Sequence, residues 1–315
     1  MIVNKVFGID ISSYQSDIDL KKVKEEGVNF VIIRAGYTGY SDGVSKRVDD
    51  YYEKHYKSAK DNNLNVGAYW FSRATTYEQG KNEAEFMYNN CLKGKKFEYP
   101  IAMDVEDSYY QSKAGKNKVT EAIKGFCEFL ESKNYYVCIY ANSNWFRNYI
   151  DTDKLDKYDK WIASWGYNKP DNPACGIWQF GGETNKIRSN KIAGIVVDQD
   201  YSYYDYPSIM IERKLNGYNL KSIDEIAHEV IDGLWGNGHI RYKKLTDAGY
   251  NYLEVQNKVN EILNNNKIKY TVKKGDTLSS IAKKYNISWK ELYNKNKDVI
   301  GDNPNKIYVG QILTI

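Results

Sequence analysis

Short apolar runs recur along roughly the first 206 residues of the chain. Eight of them are continuously apolar rather than alternating, which is typical of strands buried on both faces, as in a parallel sheet. The predicted strands are Val6–Ser12, Phe30–Gly36, Val66–Phe71, Ile101–Val105, Tyr136–Ala141, Trp161–Trp165, Ile177–Phe180 and Ile195–Val197.

Helical periodicity fills the gaps between the early runs. The predicted helices are Leu20–Glu26, Val48–Asn62, Glu78–Cys91 and Lys118–Ser132. Repeated alternation of strand and helix predicts a parallel sheet or an α/β barrel. After about residue 160 the runs follow each other every ~20 residues, and the prolines and glycines between them leave no room for full helices. We therefore predict the α/β fold class, with an irregular, TIM-like β/α barrel over residues 1–206.

The rest of the chain divides into smaller parts. Residues 207–221 are predicted to be a linker, and residues 222–264, with apolar positions at helical spacing between glycines, a small helical module. A polar linker at 264–267 leads into residues 268–315, for which the pattern predicts a βααβ unit. Its predicted elements are the strand Tyr270–Val272, the helices Leu278–Tyr285 and Trp289–Asn296, and the strand Gln311–Ile315.

The net charge of +4 is unevenly distributed. Residues 268–315 contain nine lysines and four acidic residues, a net charge of +5, so the remainder is close to neutral. A basic tail indicates an anionic partner, and nucleic acid and a polyanionic cell wall are both candidates. The chain also has 30 Tyr and 7 Trp, whose rings fill cores but can also bind sugars.

Two features bear on location and redox state. No run of 18 apolar residues is present, so we expect no membrane insertion. The segment Met1–Asp10 enters a predicted strand without a charged region followed by an apolar one, so we predict no signal peptide; release through a membrane hole, or non-classical export, would deliver the protein to a substrate outside. The four cysteines form no CxxC pair, and we expect apolar burial rather than disulfide or metal use.

Acidic side chains stand at the ends of three predicted strands. Asp10 ends the first, Asp104 and Glu106 lie at the end of the fourth, and Asp198 follows the eighth. Active sites of α/β barrels lie at the carboxyl ends of the strands, so these four carboxyl groups could meet in one pocket. Asp104 and Glu106 are two positions apart, so on a strand their side chains would point to the same face, with Cα atoms about 7 Å apart.

Such a group suits glycoside hydrolysis, which needs one protonated carboxyl group and one ionised carboxylate. Crowding of like charges raises the pKa of at least one member and so separates the two roles. Strand-end acids can also be helix caps, and acid clusters also bind Mg²⁺ or Ca²⁺. His55, His228 and His239 are remote from these acids in sequence, which disfavours a zinc site or a Ser–His triad, and no GxxxxGK[ST] phosphate loop is present. We predict no metal and no cofactor.

An ordered series of short motifs runs through residues 5–205: Gly8–Ser12, Phe30–Gly36, Gly67–Phe71, Asp104–Glu106, Ile139-Tyr140, Trp161–Ala163, Ile177–Phe180 and Val197-Asp198. In order and spacing this series resembles glycoside hydrolase family 25, the muramidase family of many phage endolysins and bacterial autolysins. The resemblance implies a flattened, irregular β/α barrel. It also implies cleavage of the β-1,4 bond between N-acetylmuramic acid and N-acetylglucosamine.

The resemblance further implies roles for individual residues. Glu106 corresponds to the proton donor, and Asp104 to the partner that orients the N-acetyl group of the substrate or stabilises the cationic centre. Asp10 and Asp198 correspond to supporting acids. The expected substrate-binding residues are Arg34, Tyr69, Tyr140, Trp165 and Trp178; for the four aromatic ones, core packing is the alternative.

Two further resemblances cover the tail. Residues 222–264, with the motifs Val230–Gly233, Trp235–Gly238 and Gly249-Tyr250, resemble a helical wall-binding repeat first known from a pneumococcal phage lysozyme. Residues 269–315, from Tyr270–Leu278 to Leu313–Ile315, resemble LysM, a module that binds N-acetylglucosamine chains. The wall-binding residues implied are Trp235, Arg241, Gly275, Asp276, Thr277, Leu278, Asn303, Pro304 and Ile307.

Three functions stay open on the sequence alone. An endolysin-type muramidase, held on peptidoglycan by its tail, accounts for the motifs. A non-catalytic wall-binding protein built on an inactive barrel is disfavoured by the four intact acids. A metal-dependent phosphohydrolase or a nucleic-acid-binding protein would use the acids or the basic tail, but no phosphate loop or basic-aromatic cluster supports it. We expect peptidoglycan as the partner, and neither nucleic acid nor membrane insertion.

Overall fold

Eight strands form a closed ring within residues 1–220. The computed structural model describes residues 2–171, 174–218, 221–265 and 269–315. In chain order the strands of this unit are β1 (Ile2–Ile11), β2 (Phe30–Thr38), β3 (Lys46–Val48), β4 (Asn65–Phe71), β5 (Ile101–Asp104), β6 (Val137–Asn142), β7 (Asp159–Ala163), β8 (Ile177–Gly181), β9 (Lys191–Ile192), β10 (Ile195–Val196) and β11 (Asp198–Tyr204). The ring runs β1-β2-β4-β5-β6-β7-β8-β11 and closes from β11 onto β1, which confirms the predicted α/β barrel.

Strand direction sets where the ends of the strands meet. β11 is antiparallel to both of its neighbours, β1 and β8, whereas the other neighbouring pairs of the ring are parallel. The first residue of β11 therefore lies at the same edge of the barrel as the last residues of the other strands. The register makes this explicit, since Asp10 at the end of β1 pairs with Asp198 at the start of β11.

The apolar runs are buried on both faces, as their pattern predicted. In β2, Phe30 and Ile32 belong to a cluster inside the ring, while Val31 and Ile33 pack in the layer between strands and helices. The helices of this unit are α1 (Leu20–Glu25), α2 (Tyr52–Asp61), α3 (Tyr77–Met87), α4 (Gln111–Ala114), α5 (Lys116–Glu131), α6 (Ser143–Asn148) and α7 (Tyr206–Glu212). The described residues between β7 and β11 contain no helix, so the barrel is irregular in its second half.

The eighth strand differs from its prediction. Residues 195–197 were expected to form it, but Ile195–Val196 is β10, which pairs with β9 in a separate two-stranded hairpin. β11 closes the ring instead. Its interior-facing side chains include acids, so its sequence looks polar although Gln199, Asp200 and Ser202 are buried.

The predicted linker 207–221 is also corrected in part. Its first residues belong to α7, in which Tyr206 and Met210 are fully buried in the same interior cluster as Phe30. Asn216 is buried too, and its side-chain Nδ2 donates to the carbonyl oxygen of Tyr99 at 2.8 Å. The segment therefore completes the barrel rather than trailing from it, and its residues 219 and 220 lie outside the described ones.

This packing gives a first prediction. Met210→Ala should lower the free energy of unfolding by about 2–5 kcal/mol, because it leaves a cavity in the barrel interior. Ile211, the next residue of α7, is 55% exposed, so the control Ile211→Ala should change that free energy by less than about 0.5 kcal/mol. Chemical denaturation followed by aromatic circular dichroism measures both. Equally small effects would mean that α7 is a linker after all.

The unit from residue 221 onward has two separate small cores. The helices α8 (Ile223–Ile231), α9 (Gly238–Asp247) and α10 (Tyr252–Asn265) enclose one of them. The other lies among β12 (Lys269–Thr271), α11 (Leu278–Lys284), α12 (Trp289–Lys295), α13 (Lys297–Ile300) and β13 (Ile312–Thr314), with β12 and β13 antiparallel. The predicted βααβ unit is thus present with one extra short helix. Of the polar linker predicted at 264–267, residues 266 and 267 lie outside the described ones.

None of the helices in the described ranges has the length and apolar character needed to cross a bilayer.

Candidate active site

The four predicted acids line one cavity of about 600 Å³: Asp10, Asp104, Glu106 and Asp198. Asp10 lies at the carboxyl-terminal end of β1 and Asp104 at that of β5. Asp198 was expected to follow a strand but begins one, and the antiparallel direction of β11 brings it to the same edge.

Burial and mutual repulsion raise the pKa of these carboxyl groups. For Asp104 the main cause is burial, followed by the charge of Glu106. For Glu106 it is burial and then the charge of Asp198, whose own pKa is raised to about 6 by burial and by Glu183. The cavity therefore retains protons on carboxyl groups in a pH range where isolated ones are ionised.

Two arginines oppose this effect at Asp104. Arg34 is held by Asp49, whose Oδ2 lies 2.7 Å from Arg34 Nη2, and Arg73 Nε lies 3.0 Å from Asp107 Oδ1. Both arginines line the cavity, as the prediction expected for Arg34 and did not foresee for Arg73. The only sequence signal for Arg73 is its place just after β4.

A second cavity of about 360 Å³ shares Glu106 and Asp198 with the first. Tyr140, Trp165 and Gln179 complete its wall together with Asn142 and Ala163. Gln179 Oε1 accepts hydrogen bonds from Tyr140 Oη and Trp165 Nε1, each at 3.1 Å, and Gln179 Nε2 donates to Asp10 Oδ2 at 2.8 Å. The two cavities thus form one cleft with the acids in its middle.

A glycine makes room for one of the acids. A Cβ atom at Gly182 would overlap Asp198 Oδ1 and crowd the ring of Trp165. A side chain at this position would therefore displace both the carboxyl group and the aromatic wall of the cleft.

Comparison with known proteins agrees with this geometry. The sequence model of glycosyl hydrolases family 25 matches residues 9–188, which is more than half of the 315 residues. The chain belongs to glycosyl hydrolase family 25. In the tail, the CW_7 repeat matches residues 224–263 and the LysM domain matches residues 270–315.

Individual relatives cover different shares of this family 25 chain. An autolytic lysozyme of Clostridium acetobutylicum is 31% identical over 170 residues, which are 54% of this chain and 48% of that protein. A lysozyme of Streptococcus phage Cp-7 is 29% identical over 270 residues, which are 81% of this chain and 69% of that protein. The solved structure of a family 25 glycosyl hydrolase from Bacillus anthracis has a TM-score of 0.53 and 26% identity, covering 67% of this chain and 93% of that one. The chain therefore spans about half the length of the Clostridium relative.

Of the five predicted substrate-binding residues, four line the cleft of the family 25 barrel: Arg34, Tyr69, Tyr140 and Trp165. Trp178 does not. It is buried against Phe180 and Tyr201 in the outer layer, and its Nε1 donates to the carbonyl oxygen of Ser164. Neighbouring residues of β8 face opposite sides, so Gln179 faces the cleft where Trp178 was expected.

The LysM domain has a cavity of its own, of about 490 Å³. Five predicted residues line it: Asp276, Thr277, Leu278, Pro304 and Ile307. The other two predicted residues, Gly275 and Asn303, do not line the cavity. Gly275 lies in the preceding turn with a φ of +90°, and Asn303 Oδ1 accepts a hydrogen bond from the backbone N–H of Asn305. Trp289, missed by the prediction, lines the cavity and is 41% exposed.

The two residues predicted in the CW_7 repeat make contacts within that module. Trp235 Nε1 donates to Glu229 Oε2 at 2.9 Å, and its ring lies edge-on to Tyr250. Arg241 donates to the carbonyl oxygen of Gly236 and to the side-chain oxygens of Gln256 and Asn237. Both stabilise the repeat, and their part in wall binding stays a prediction.

Proposed function

We propose that this chain is an N-acetylmuramidase, which hydrolyses the β-1,4 bond between N-acetylmuramic acid and N-acetylglucosamine in peptidoglycan. The observation that carries the proposal is the meeting of Asp10, Asp104, Glu106 and Asp198 in one cavity at the edge of the barrel. The lysozymes of Clostridium and of phage Cp-7 named above support it, because the sequence of this chain is similar to theirs.

Glu106 acts as the general acid in this proposal. Burial and the charge of Asp198 raise its pKa, so that it keeps its proton to a higher pH than an isolated glutamate does. It gives that proton to the glycosidic oxygen as the bond from C1 to that oxygen breaks, which leaves Glu106 as a carboxylate. The same carboxylate can then take a proton from the water that completes hydrolysis.

Asp104 acts as the ionised partner. Burial and the charge of Glu106 raise the pKa of Asp104 well above its ordinary value, so Asp104 is the ionised member only while Glu106 holds the proton; Arg34 and Arg73 favour that charged form. Asp104 Oδ1 is buried and accepts no hydrogen bond from the described residues. A buried acceptor without a donor is costly, so this oxygen is suited to the N–H of the substrate's acetamido group. Asp10 and Asp198 support this pair from the facing strands.

The tail modules hold the enzyme on the wall in this proposal. The LysM cavity is lined both by apolar side chains, among them Leu278, Trp289 and Ile307, and by the polar Asp276 and Asn305, which suits the faces and hydroxyl groups of N-acetylglucosamine. The similarity to a phage lysozyme supports an endolysin route, in which the protein is made in the host cytoplasm and released through a membrane hole.

The products of digestion test the activity. Purified Gram-positive walls should yield new reducing ends on N-acetylmuramic acid, which mass spectrometry after borohydride reduction identifies. The rate should be unchanged by EDTA, because a carboxylate glycosidase requires no metal. Reducing ends on N-acetylglucosamine would mean a glucosaminidase. A rate lost in EDTA and restored by Mg²⁺ or Ca²⁺ would favour a metal-dependent hydrolase, and no cleavage would favour a binding protein on an inactive barrel.

A further inference from the structure

A fifth carboxyl group lies behind the cleft and has no part in the mechanism above. Asp200 follows Asp198 by two positions on β11 and is fully buried, without lining the cavity. Its Oδ1 accepts a hydrogen bond from Trp161 Nε1 at 2.7 Å. Its Oδ2 is buried and accepts no N–H or O–H from the described residues.

The carboxyl groups of Asp200 and Asp10 are within hydrogen-bonding distance of each other. Two carboxylates offer only acceptors, so a hydrogen bond between them requires a proton on one of the two. Burial raises the pKa of both groups, that of Asp200 to about 8. The ionisable groups that act on the pair are Asp198 on β11 and the hydroxyls of Tyr69, Tyr99 and Tyr140 around it.

The contact continues to the wall of the cleft. Asp10 Oδ2 accepts from Gln179 Nε2, which fixes the orientation of the Gln179 amide. The amide oxygen then faces the two donors Tyr140 Oη and Trp165 Nε1. A line of hydrogen bonds therefore leads from Trp161 in the barrel interior, through Asp200 and Asp10, to the exposed edge of Trp165.

We propose that Asp200 is a positioning residue for the hydrolysis: it shares one proton with Asp10, so that the pair carries a single negative charge and Asp10 stays bonded to Gln179. Without that proton two adjacent carboxylates would repel each other, and Asp10 would be pushed away from the amide that orients Tyr140 and Trp165. Asp200 acts only through these neighbours and does not touch the reacting sugar.

Comparing Asp200→Asn with Asp200→Leu distinguishes this positioning role from a role in packing alone. Asp200→Asn keeps an oxygen for Trp161 Nε1 and offers an N–H to Asp10, so the pair again has one negative charge, but no proton can leave it. Asp200→Leu has a similar size but removes the donor to Asp10 and the acceptor for Trp161. We expect kcat/KM of the full chain on purified walls to stay within threefold for Asp200→Asn and to fall at least tenfold for Asp200→Leu.

The pH profile adds a readout that packing alone would not move. As the pH rises above neutral, the ratio of kcat/KM of Asp200→Asn to that of the wild type should rise, because only the wild type can lose the shared proton. Taking the ratio cancels the ionisation of Glu106, which both proteins share. A flat ratio, or a loss of activity in Asp200→Asn equal to that of Asp200→Leu, would overturn the proposal.

Infrared spectroscopy tests the shared proton without any activity, and so separates this inference from the proposed function on which it rests. In a Glu106→Gln background at pH 7, the infrared spectrum minus that of the same protein with Asp200→Asn should contain the C=O stretch of a protonated buried carboxyl. Other buried acids, such as Glu83, whose pKa burial raises to about 7, cancel in this difference. Circular dichroism should show both proteins folded. A difference spectrum without this band would place the proton elsewhere and refute the pairing, even if Asp200→Leu fails to fold.

Discussion

Glu106→Gln should reduce the rate of wall hydrolysis by at least ~10²–10⁴-fold, the range that general acid catalysis contributes. Glutamine keeps the shape of the side chain but has no proton to give to the glycosidic oxygen. Glu106 is coupled to Asp104 and Asp198 through charge, so its removal should also lower the pKa of Asp104 towards its ordinary range. The release of reducing ends from purified walls measures the rate.

Glu183→Gln is the matched control, because it removes an exposed carboxyl group that acts on Asp198 but does not line either cavity. Its rate should stay within threefold of the wild type. The melting temperature and circular dichroism of both variants should match the wild type. A Glu106→Gln protein that hydrolyses walls within threefold of the wild-type rate would remove Glu106 from the role of proton donor.

The second large effect concerns the tail. A chain that ends at residue 220 keeps the complete barrel, including α7, and should cleave soluble muropeptide chains at the full rate. On insoluble walls it should be slower by roughly 10²-fold or more, because tethered binding modules raise the effective concentration of the enzyme by ~10²–10⁴. Turbidity of walls and release of soluble products, measured side by side, give the two rates.

The intact chain offers a finer form of the same test. Trp289→Ala should weaken binding to sacculi, whereas Tyr308→Ala, 65% exposed in the same module but outside the cavity, should not. High salt should weaken binding only in part, since the Debye length falls from ~10 Å at 0.1 M to ~3 Å at 1 M and screens the charge of the tail. Oligomers of N-acetylglucosamine should compete. Binding that vanishes in salt and ignores the oligomers would make the tail a nonspecific cation.

The barrel could be predicted because its strands are apolar on both faces. The run Phe30–Ile33 can be recognised as a buried strand from its apolar sequence alone, and the neighbouring strands of the ring have similar apolar runs. β11 was not predicted as a strand because its interior face holds Asp198 and Asp200. The strand that closes the ring therefore has the polar composition typical of a loop. A polar strand is stable here because it still makes buried hydrogen bonds: Asp200 Oδ1 accepts from Trp161 Nε1, and Gln199 Nε2 donates to the carbonyl oxygen of Ser189.

The acids of the site could be predicted from their places at strand ends, but their surroundings could not. Trp178 and Gln179 are adjacent, and the sequence does not say which of the two faces the cleft. Arg73, in the loop after β4, lines the cavity and acts on Asp104 through its charge, and Trp289, at the start of α12, lines the LysM cavity. Both placements depend on how separate elements pack, which the spacing of residues along the chain does not reveal.

The reversed direction of β11 also determines where this barrel can be redesigned. β8 ends and β11 begins at the rim of the cleft. The residues between them, 182–197, form a loop that contains the β9–β10 hairpin. Gln179 on β8 and Asp198 on β11 fix the two ends of this loop. Surface connections of this kind tolerate changes of length far better than the strands they join. Exchanging the exposed residues of this loop beyond Gly182, while keeping the buried Ile192 and Val197, would change the surface next to the cleft while the register of the ring stayed the same. The same exchange in a β–α connection would have to preserve the docking of a helix.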